Sequence, residues 1–320
     1  MRILITGGAG MLGTCLVPVF VSGQHELVVT DIDLQRLRPW GERGPTLAHL
    51  DVRSRDEVSE AFASIRPDLV LHLAAETSLE ICEQDPDHAF LTNAIATKYI
   101  ALACRRYRIP LVYISTAGVF DGTKAGAYTE FDTPRPINVY GSAKLEGEHF
   151  VRELVEEHYI LRAGWMVGGG PGKDHKFVAR ILRQLTEGKT VLHAVVDKLG
   201  TPTYAPDFAR CLEGVLGARV FGTYHAACGG DGSRYDVAAE ILSVLGRTDV
   251  ELVAVESDFF AKEFPAPRPA SEILRNMALE LQSMNTMRPW RVALQDYLQT
   301  AFPHLISRSI DVTDRHVVLA

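Results

Sequence analysis

A glycine-rich turn near the N-terminus constrains the fold of this chain more than any other feature. The apolar run Arg2–Thr6 is typical of a short buried strand, and an apolar helix is predicted to begin at Met11. Glycines between them allow a tight turn, bring backbone N–H groups close to a pyrophosphate and let the helix pack against the strand. The positive end of the helix then faces the phosphates. The predicted dinucleotide site comprises Gly7, Gly10, Met11, Leu12 and Gly13.

The segments after this turn alternate between strands and helices. Strands are predicted over 26–31, 46–51, 68–75, 110–116 and 159–165, and helices over 55–65, 86–107 and 138–157. Strands that are joined through helices imply right-handed crossovers and a parallel sheet. Near-continuous apolar strands fit a sheet that is covered on both faces. The pattern therefore predicts a doubly wound α/β fold.

This regular alternation ends after residue 165. A glycine-rich loop follows over 168–172, and prolines punctuate the rest of the chain. We predict an NAD(P)-binding domain over 1–170 and, over 171–320, a smaller lobe that mainly binds the substrate. Segments near 205–228 are expected to return to the first domain, and residues from about 307 are expected to form a loose tail.

Acidic residues at two strand ends fit the adenosine half of a dinucleotide. Asp31 ends the second predicted strand, where a carboxylate can bind the ribose 2′-hydroxyl and repel a 2′-phosphate. Asp31 therefore favours NAD over NADP, although Arg36 and Arg38 nearby could soften that preference. Asp51 and Val52 follow the third strand and are predicted to flank the adenine.

A tyrosine and a lysine with helical spacing form the candidate catalytic pair. Tyr140 and Lys144 are four residues apart, so both side chains project from one face of the helix. An ammonium beside a phenol lowers the phenol's pKa and makes it a usable acid or base near neutral pH. The strand before this helix ends in Ser115 and Thr116, at the ligand edge of the sheet. Thr116 is predicted to bond a substrate carbonyl, with Ser115 as the alternative, because side chains alternate along a strand.

Composition and charge narrow the class of protein. The 320 residues carry a net charge of −7, so nucleic-acid binding is not expected. The longest apolar run, 16–21, contains Pro18 and is too short to span a bilayer. The five cysteines are odd in number and lack metal-ligand spacing, and the histidines are scattered. We therefore expect reduced thiols, a cytoplasmic location and no catalytic metal.

Several motifs together resemble the extended short-chain dehydrogenase/reductase superfamily. The glycine turn, the segment His72-Leu73-Ala74-Ala75, Asn93, Thr116 and Tyr140-x-x-x-Lys144 match its pattern in order. Within it the chain is most similar to the dTDP-4-dehydrorhamnose reductase family. The segments that carry this similarity are 115–122, 138–148, 162–165, 200–203 and 268–269.

The resemblance implies reduction of a 4-keto nucleotide-diphosphate sugar by NAD(P)H. Tyr140 would donate a proton to the C4 oxygen, Thr116 would orient that oxygen, and Lys144 would tune Tyr140. The second lobe would hold the nucleotide sugar, with Thr77 and Arg268 as candidate contacts, and the protein would form a homodimer. The cofactor would be contacted by Leu73, Ala74, Ala75, Tyr140 and Lys144.

Three departures from the family pattern lie on the expected substrate side. Ala117 and Gly118 stand where an Asp-Tyr pair usually follows the threonine, Asp197-Lys198 replaces Asp-Gln, and Ala270-Ser271-Glu272 replaces the common Asn-Ser form. None of them touches the cofactor turn or the Tyr140-Lys144 pair. The sequence therefore supports the reduction of a keto sugar nucleotide better than it supports dTDP-4-dehydrorhamnose as the particular substrate.

Two other functions fit the same residues. A sugar-nucleotide epimerase or dehydratase would use the same catalytic groups, and an epimerase would retain tightly bound NAD. Ala117 and Gly118 argue against a 4,6-dehydratase, which usually carries carboxylates at these positions. A non-catalytic NAD(P)-binding regulatory subunit also occurs on this fold, and the intact Thr116, Tyr140 and Lys144 favour catalysis over it.

Overall fold

A computed structural model describes residues 1–40 and 44–306, so the tail predicted from about 307 lies outside the described residues. Along this part of the chain the strands are β1 (Arg2–Thr6), β2 (Glu26–Asp31), β3 (Thr46–His49), β4 (Leu69–His72), β5 (Leu111–Thr116), β6 (His158–Ala163), β7 (Trp165–Val167), β8 (Val191–Val195), β9 (Leu199–Gly200), β10 (Pro202–Tyr204), β11 (Gly222–His225), β12 (Gly232–Ser233), β13 (Glu251–Val255) and β14 (Ser271–Glu272).

The helices divide between the first and second halves of the chain. They are α1 (Met11–Ser22), α2 (Arg55–Ile65), α3 (Leu79–Gln84), α4 (Pro86–Phe90), α5 (Ala96–Tyr107), α6 (Val139–Leu154), α7 (Phe177–Thr186), α8 (Ala205–Ala218), α9 (Arg234–Leu245), α10 (Met277–Leu281) and α11 (Trp290–Ala301). A π-helical turn over Leu91–Ile95 joins α4 to α5. Among the described helices, none has both the length and the apolar composition that crossing a membrane requires.

The centre of the fold is a parallel sheet of seven strands in the order β11-β6-β5-β4-β1-β2-β3. Alternate residues of β1 point to opposite faces: Ile3 and Ile5 join one buried apolar cluster with α1 and α8, and Leu4 joins another with α2 and α5. The sheet is therefore covered by helices on both faces, and the predicted doubly wound α/β fold is confirmed.

The second half of the chain contributes to the sheet and also builds smaller ones. β11 pairs with β6, and α8 packs against α1, so both elements within 205–228 lie against the sheet formed by the first half. The remaining strands form the pairs β7–β10 and β8–β13 and the set β12-β9-β14. The boundary between domains at residue 170 stays a prediction.

Several strands are shorter in the structure than the sequence predicts. In β3 and β4 the observed strand ends level with the last residue of the strand beside it. His72 of β4 lies opposite Thr6, the last residue of β1, so the strand stops short of residue 75. His49 of β3 lies opposite Asp31, the last residue of β2. The strand predicted over 159–165 stops at Ala163, and the chain then turns away to form β7 beside β10.

A buried carboxylate connects α6 to the sheet. Glu148 accepts hydrogen bonds from Ser115 Oγ (2.6 Å) and from Arg162 Nε and Nη2 (2.8 and 2.7 Å), and Arg152 adds a further one. Glu148 and Arg162 are 0% and 1% exposed. Burial raises the pKa of Glu148, but the hydrogen bonds and charge of Arg162 outweigh it and lower the pKa to about 2. Glu148 is therefore an ionised anchor between β5, β6 and α6.

We expect Glu148→Ala to lower the free energy of unfolding by about 3–5 kcal/mol, because it leaves the buried Arg162 without its counter-charge. Urea denaturation followed by circular dichroism measures the change. Glu146→Ala on the same helix is the matched control, since the Glu146 side chain is 43% exposed and, among the described residues, its carboxylate pairs only with His149. Equal effects of the two substitutions would contradict the anchoring role.

Candidate active site

A cleft of about 1660 Å³ opens at the carboxyl ends of the parallel strands. One wall follows β1, β2, β4 and β5, and the other is formed by the second half of the chain. Every residue predicted from the sequence as a site residue lines this cleft. These residues are Gly7, Gly10, Met11, Leu12, Gly13, Asp31, Asp51, Val52, Leu73, Ala74, Ala75, Thr77, Thr116, Tyr140, Lys144 and Arg268.

The glycine turn is closely packed and leaves the start of α1 open to a ligand. Gly7 has a φ of +67°, and a Cβ added to it would lie 2.6 Å from the backbone of Ala74. A Cβ on Gly13 would lie 2.2 Å from the carbonyl oxygen of Gly8. Gly10 caps α1 without a side-chain hydrogen bond. The first N–H groups of α1 are thus available to phosphate oxygens, so the turn fits a dinucleotide.

The part of the cleft next to the end of β2 carries both a carboxylate and cations. Asp31 is 8% exposed, and its oxygens accept hydrogen bonds from the backbone N–H groups of Ala9 (3.1 Å) and Asp33 (3.2 Å). Arg36 lines the same region, and Lys173 Nζ donates to its carbonyl oxygen at 3.3 Å. Sequence reasoning missed Lys173, which comes from the distant 168–174 loop. The side chain of Arg38 lies outside the described residues.

The alternation along β5 places Ser115 and Thr116 in different surroundings. Ser115 Oγ donates to Glu148, whereas Thr116 lies beside Tyr140 and acts to lower the pKa of its phenol. Thr116 Oγ1 also accepts a hydrogen bond from the backbone N–H of Gly118 at 3.1 Å. Of the two hydroxyls that the sequence left open, Thr116 is therefore the one beside Tyr140.

Burial controls the protonation of the candidate catalytic pair. It raises the pKa of Tyr140 above the ordinary value of a phenol, and Thr116 beside it only partly opposes that shift. Burial also lowers the pKa of Lys144 to about 7, against the charge of Glu148. The Lys144 ammonium lies 4.0 Å from the ring centroid of Tyr113. Its effect on the pKa of Tyr140 stays a prediction, and burial is the largest influence on that pKa. Tyr140 is therefore protonated at neutral pH.

The opposite wall carries a stacked aromatic and charged group that sequence reasoning missed. The guanidinium of Arg234, at the start of α9, lies 3.6 Å from the ring centroid of Trp165. Trp165 Nε1 donates a hydrogen bond of 2.8 Å to Glu272 Oε2. Burial lowers the pKa of Arg234 to about 10, against the charge of Glu272. These residues are far apart in sequence, so no local spacing could have shown that they meet.

Arg268 lines the cleft but is already well bonded. Its Nη2 donates to Glu80, which follows β4, and its Nη1 donates to the carbonyl oxygens of Phe264 (3.3 Å) and Ala266 (2.8 Å). The ion pair joins the two walls of the cleft. A direct contact of Arg268 with a substrate phosphate stays a prediction, as does the contact of Thr77 with the sugar.

The family model of the RmlD substrate binding domain matches residues 1–302. This chain belongs to that family. It is 31% identical over 297 residues to the dTDP-4-dehydrorhamnose reductase of Mycolicibacterium smegmatis, which covers 92% of this chain and 84% of that protein.

Solved structures of similar proteins share the whole fold. The dTDP-4-dehydrorhamnose reductase from Clostridium acetobutylicum is 35% identical, with a TM-score of 0.84 over 93% of this chain and 99% of that chain. The dTDP-4-dehydrorhamnose reductase from Bacillus anthracis, solved in complex with NADP, is 30% identical, with a TM-score of 0.83 over 93% of this chain and 98% of that chain. The resemblance that the motifs indicated is confirmed at the level of the family.

We expect Gly13→Ala to weaken NADPH binding at least about tenfold, because the added Cβ would collide with the carbonyl oxygen of Gly8 and move α1 away from the turn. Titration calorimetry measures the change. Gly214→Ala in α8 is the control, since a Cβ there meets nothing within 4 Å. An unchanged dissociation constant for Gly13→Ala would remove the turn from the cofactor site.

Proposed function

We propose that this chain catalyses the NAD(P)H-dependent reduction of a 4-keto nucleotide-diphosphate sugar, with Tyr140 as the proton donor. The observation that carries the proposal is the convergence of Thr116, Tyr140 and Lys144 with the glycine turn in one cleft. The relatives named dTDP-4-dehydrorhamnose reductase support the same reaction class.

The first wall of the cleft would hold the cofactor. The uncapped start of α1 suits the pyrophosphate, Asp31 suits the adenosine ribose, and Lys144 suits the nicotinamide ribose hydroxyls. Bound NAD(P)H supplies the hydride. The residues after β4, Leu73, Ala74 and Ala75, lie between these ends and would contact the dinucleotide along its length.

The catalytic groups match the needs of a carbonyl reduction. Tyr140 is protonated at neutral pH, so it can donate a proton to the carbonyl oxygen that gains negative charge. Thr116, which lies beside Tyr140, would hold that oxygen in reach. The buried Lys144 would favour the phenolate that remains after proton transfer.

The second wall suits an anionic substrate. Cationic side chains line it, in a protein whose net charge is −7. Guanidinium and ammonium groups in a cleft bind phosphate oxygens through charge-assisted hydrogen bonds. The residues concerned are Lys176, Arg180, Lys198 and Arg234. A nucleotide diphosphate fits this wall better than a neutral sugar does.

The loss of reduced-nicotinamide absorbance with dTDP-4-keto-6-deoxyglucose, and with UDP-linked keto sugars, tests the proposal. Consumption in proportion to added keto sugar would support a reductase. Interconversion of two sugar nucleotides without net consumption, by protein that carries tightly bound NAD, would favour the epimerase. Cofactor binding without either reaction would favour the regulatory subunit.

Tyr140→Phe is expected to lower kcat by about 10²–10⁴-fold, because it removes the proton donor and leaves the ring in place. NADPH affinity, measured by calorimetry, should change less than about threefold. Tyr128→Phe is the control, since the Tyr128 hydroxyl bonds Asp121. Normal turnover by Tyr140→Phe would overturn Tyr140 as the acid.

Asp31→Asn is expected to raise the ratio of kcat/KM for NADPH over NADH by about ten- to a hundredfold, because it removes the charge that repels a 2′-phosphate. The amide keeps an acceptor for the Ala9 N–H, so the turn is preserved. Initial rates with the two cofactors measure the ratio. An unchanged ratio would place Asp31 outside the adenosine site.

A further inference from the structure

Glu272 brings an additional carboxylate to the part of the cleft that holds Thr116 and Tyr140. It lines the cleft, and its negative charge acts on the Tyr140 hydroxyl. Oε2 accepts the hydrogen bond from Trp165 Nε1 at 2.8 Å. Among the described residues, none donates a hydrogen bond to Oε1. Oε2 is therefore held in position by Trp165, and Oε1 is free to accept a hydrogen bond from a ligand.

Oε1 of this carboxylate lies next to residue 118, which is glycine. A Cβ on Gly118 would lie 3.4 Å from Thr116 Oγ1 and 3.7 Å from Glu272 Oε1. A large side chain at this position would extend into the space that Oε1 faces. Gly118 and Glu272 belong to two of the sequence departures noted above, and the structure shows that they are neighbours. Two of the departures from the family pattern thus meet in one pocket, next to Thr116 and Tyr140.

The surroundings of Glu272 orient the free oxygen. Burial raises the pKa of the Glu272 carboxyl group. The hydrogen bond from Trp165 and the positive charge of Arg234 oppose that shift. Arg234 stacks on the Trp165 ring, so the three side chains form a connected group. Because Trp165 holds Oε2, Oε1 can accept a hydrogen bond without reorganising the wall.

We propose that Glu272 determines substrate specificity by accepting, at Oε1, a hydrogen bond from a donor on sugar carbon C3. The proposal rests on the proposed 4-ketoreductase function. Thr116 and Tyr140 place the C4 oxygen, and the neighbours of C4 in a 6-deoxy sugar are C3 and C5. C5 carries a methyl group and the ring oxygen, so C3 bears the only adjacent hydrogen-bond donor. A hydroxyl or an ammonium group would serve, and a sugar without either would leave the carboxylate unpaired.

The test compares dTDP-4-keto-6-deoxyglucose with its 3-deoxy and 3-amino analogues, using NADPH and initial rates. We expect the wild-type protein to prefer a 3-substituted sugar over the 3-deoxy sugar by about ten- to a hundredfold in kcat/KM, mainly through KM. Glu272→Ala should reduce this preference to less than about threefold. Glu263→Ala is the control, because Glu263 is an exposed carboxylate on the rim of the same cleft.

A purely structural role for Glu272 would give a different result. If Glu272 only held Trp165, Glu272→Ala would lower kcat/KM for all three sugars equally. Glu272→Gln, which keeps an acceptor for Trp165 Nε1, would then restore the rate, and the preference would stay at the wild-type value in both variants. Either outcome would overturn the proposal, which requires Glu272→Gln to lose preference while it retains the wild-type melting temperature.

The substituted sugars identify the donor. A wild-type preference for the 3-hydroxy sugar that Glu272→Ala removes assigns a hydroxyl, and the same result with the 3-amino sugar assigns an ammonium group. Wild-type protein that turns over the keto sugars without distinguishing the 3-deoxy analogue would overturn the role of Glu272 alone. Wild-type protein that binds NADPH but oxidises none with any of them would contradict the reductase function itself.

Discussion

The parallel alignment of β1, β2, β4 and β5 is the constraint on which the rest of this structure depends. Thr6 of β1 lies level with Thr30 of β2 and His72 of β4, so these neighbouring strands end close to one level. The turns that follow them must therefore meet at a single edge. Glycine is required at position 7 because the backbone of Ala74, just after β4, passes so close to it. The first wall of the cleft is a direct result of this alignment.

Local sequence patterns were sufficient for this first wall. The bounds predicted for β1, β2 and α2 and the predicted start of α1 agree with the structure. The site residues taken from the glycine turn, the ends of β2, β3, β4 and β5 and the Tyr140–Lys144 spacing all line the cleft. Whether each performs its assigned role is a matter for the experiments above.

The second wall could not be predicted in the same way. Trp165, Arg234 and Glu272 come from β7, α9 and β14, and they meet only through tertiary packing. The electrostatics of the first wall could not be predicted either. The spacing of Tyr140 and Lys144 implied a mutual effect, but burial is the largest influence on the pKa of each. The Lys144 ammonium also lies beside the ring of Tyr113, which belongs to a different element. The burial of a side chain is a property of the folded chain, and the spacing of residues in the sequence does not predict it.

The Glu148 anchor has a consequence for how this protein can diversify. Glu148 accepts a hydrogen bond from Ser115, which is adjacent to Thr116. Lys144 lies one helical turn before Glu148 on α6. A substitution that loosens the anchor would therefore disturb folding and the alignment of the reacting groups together. Trp165, Arg234 and Glu272 of the second wall lie on β7, α9 and β14, and none of these elements supplies a residue to the anchor. Substitutions in the second wall can thus change which substrate the cleft accepts, while the reacting groups of the first wall keep their alignment.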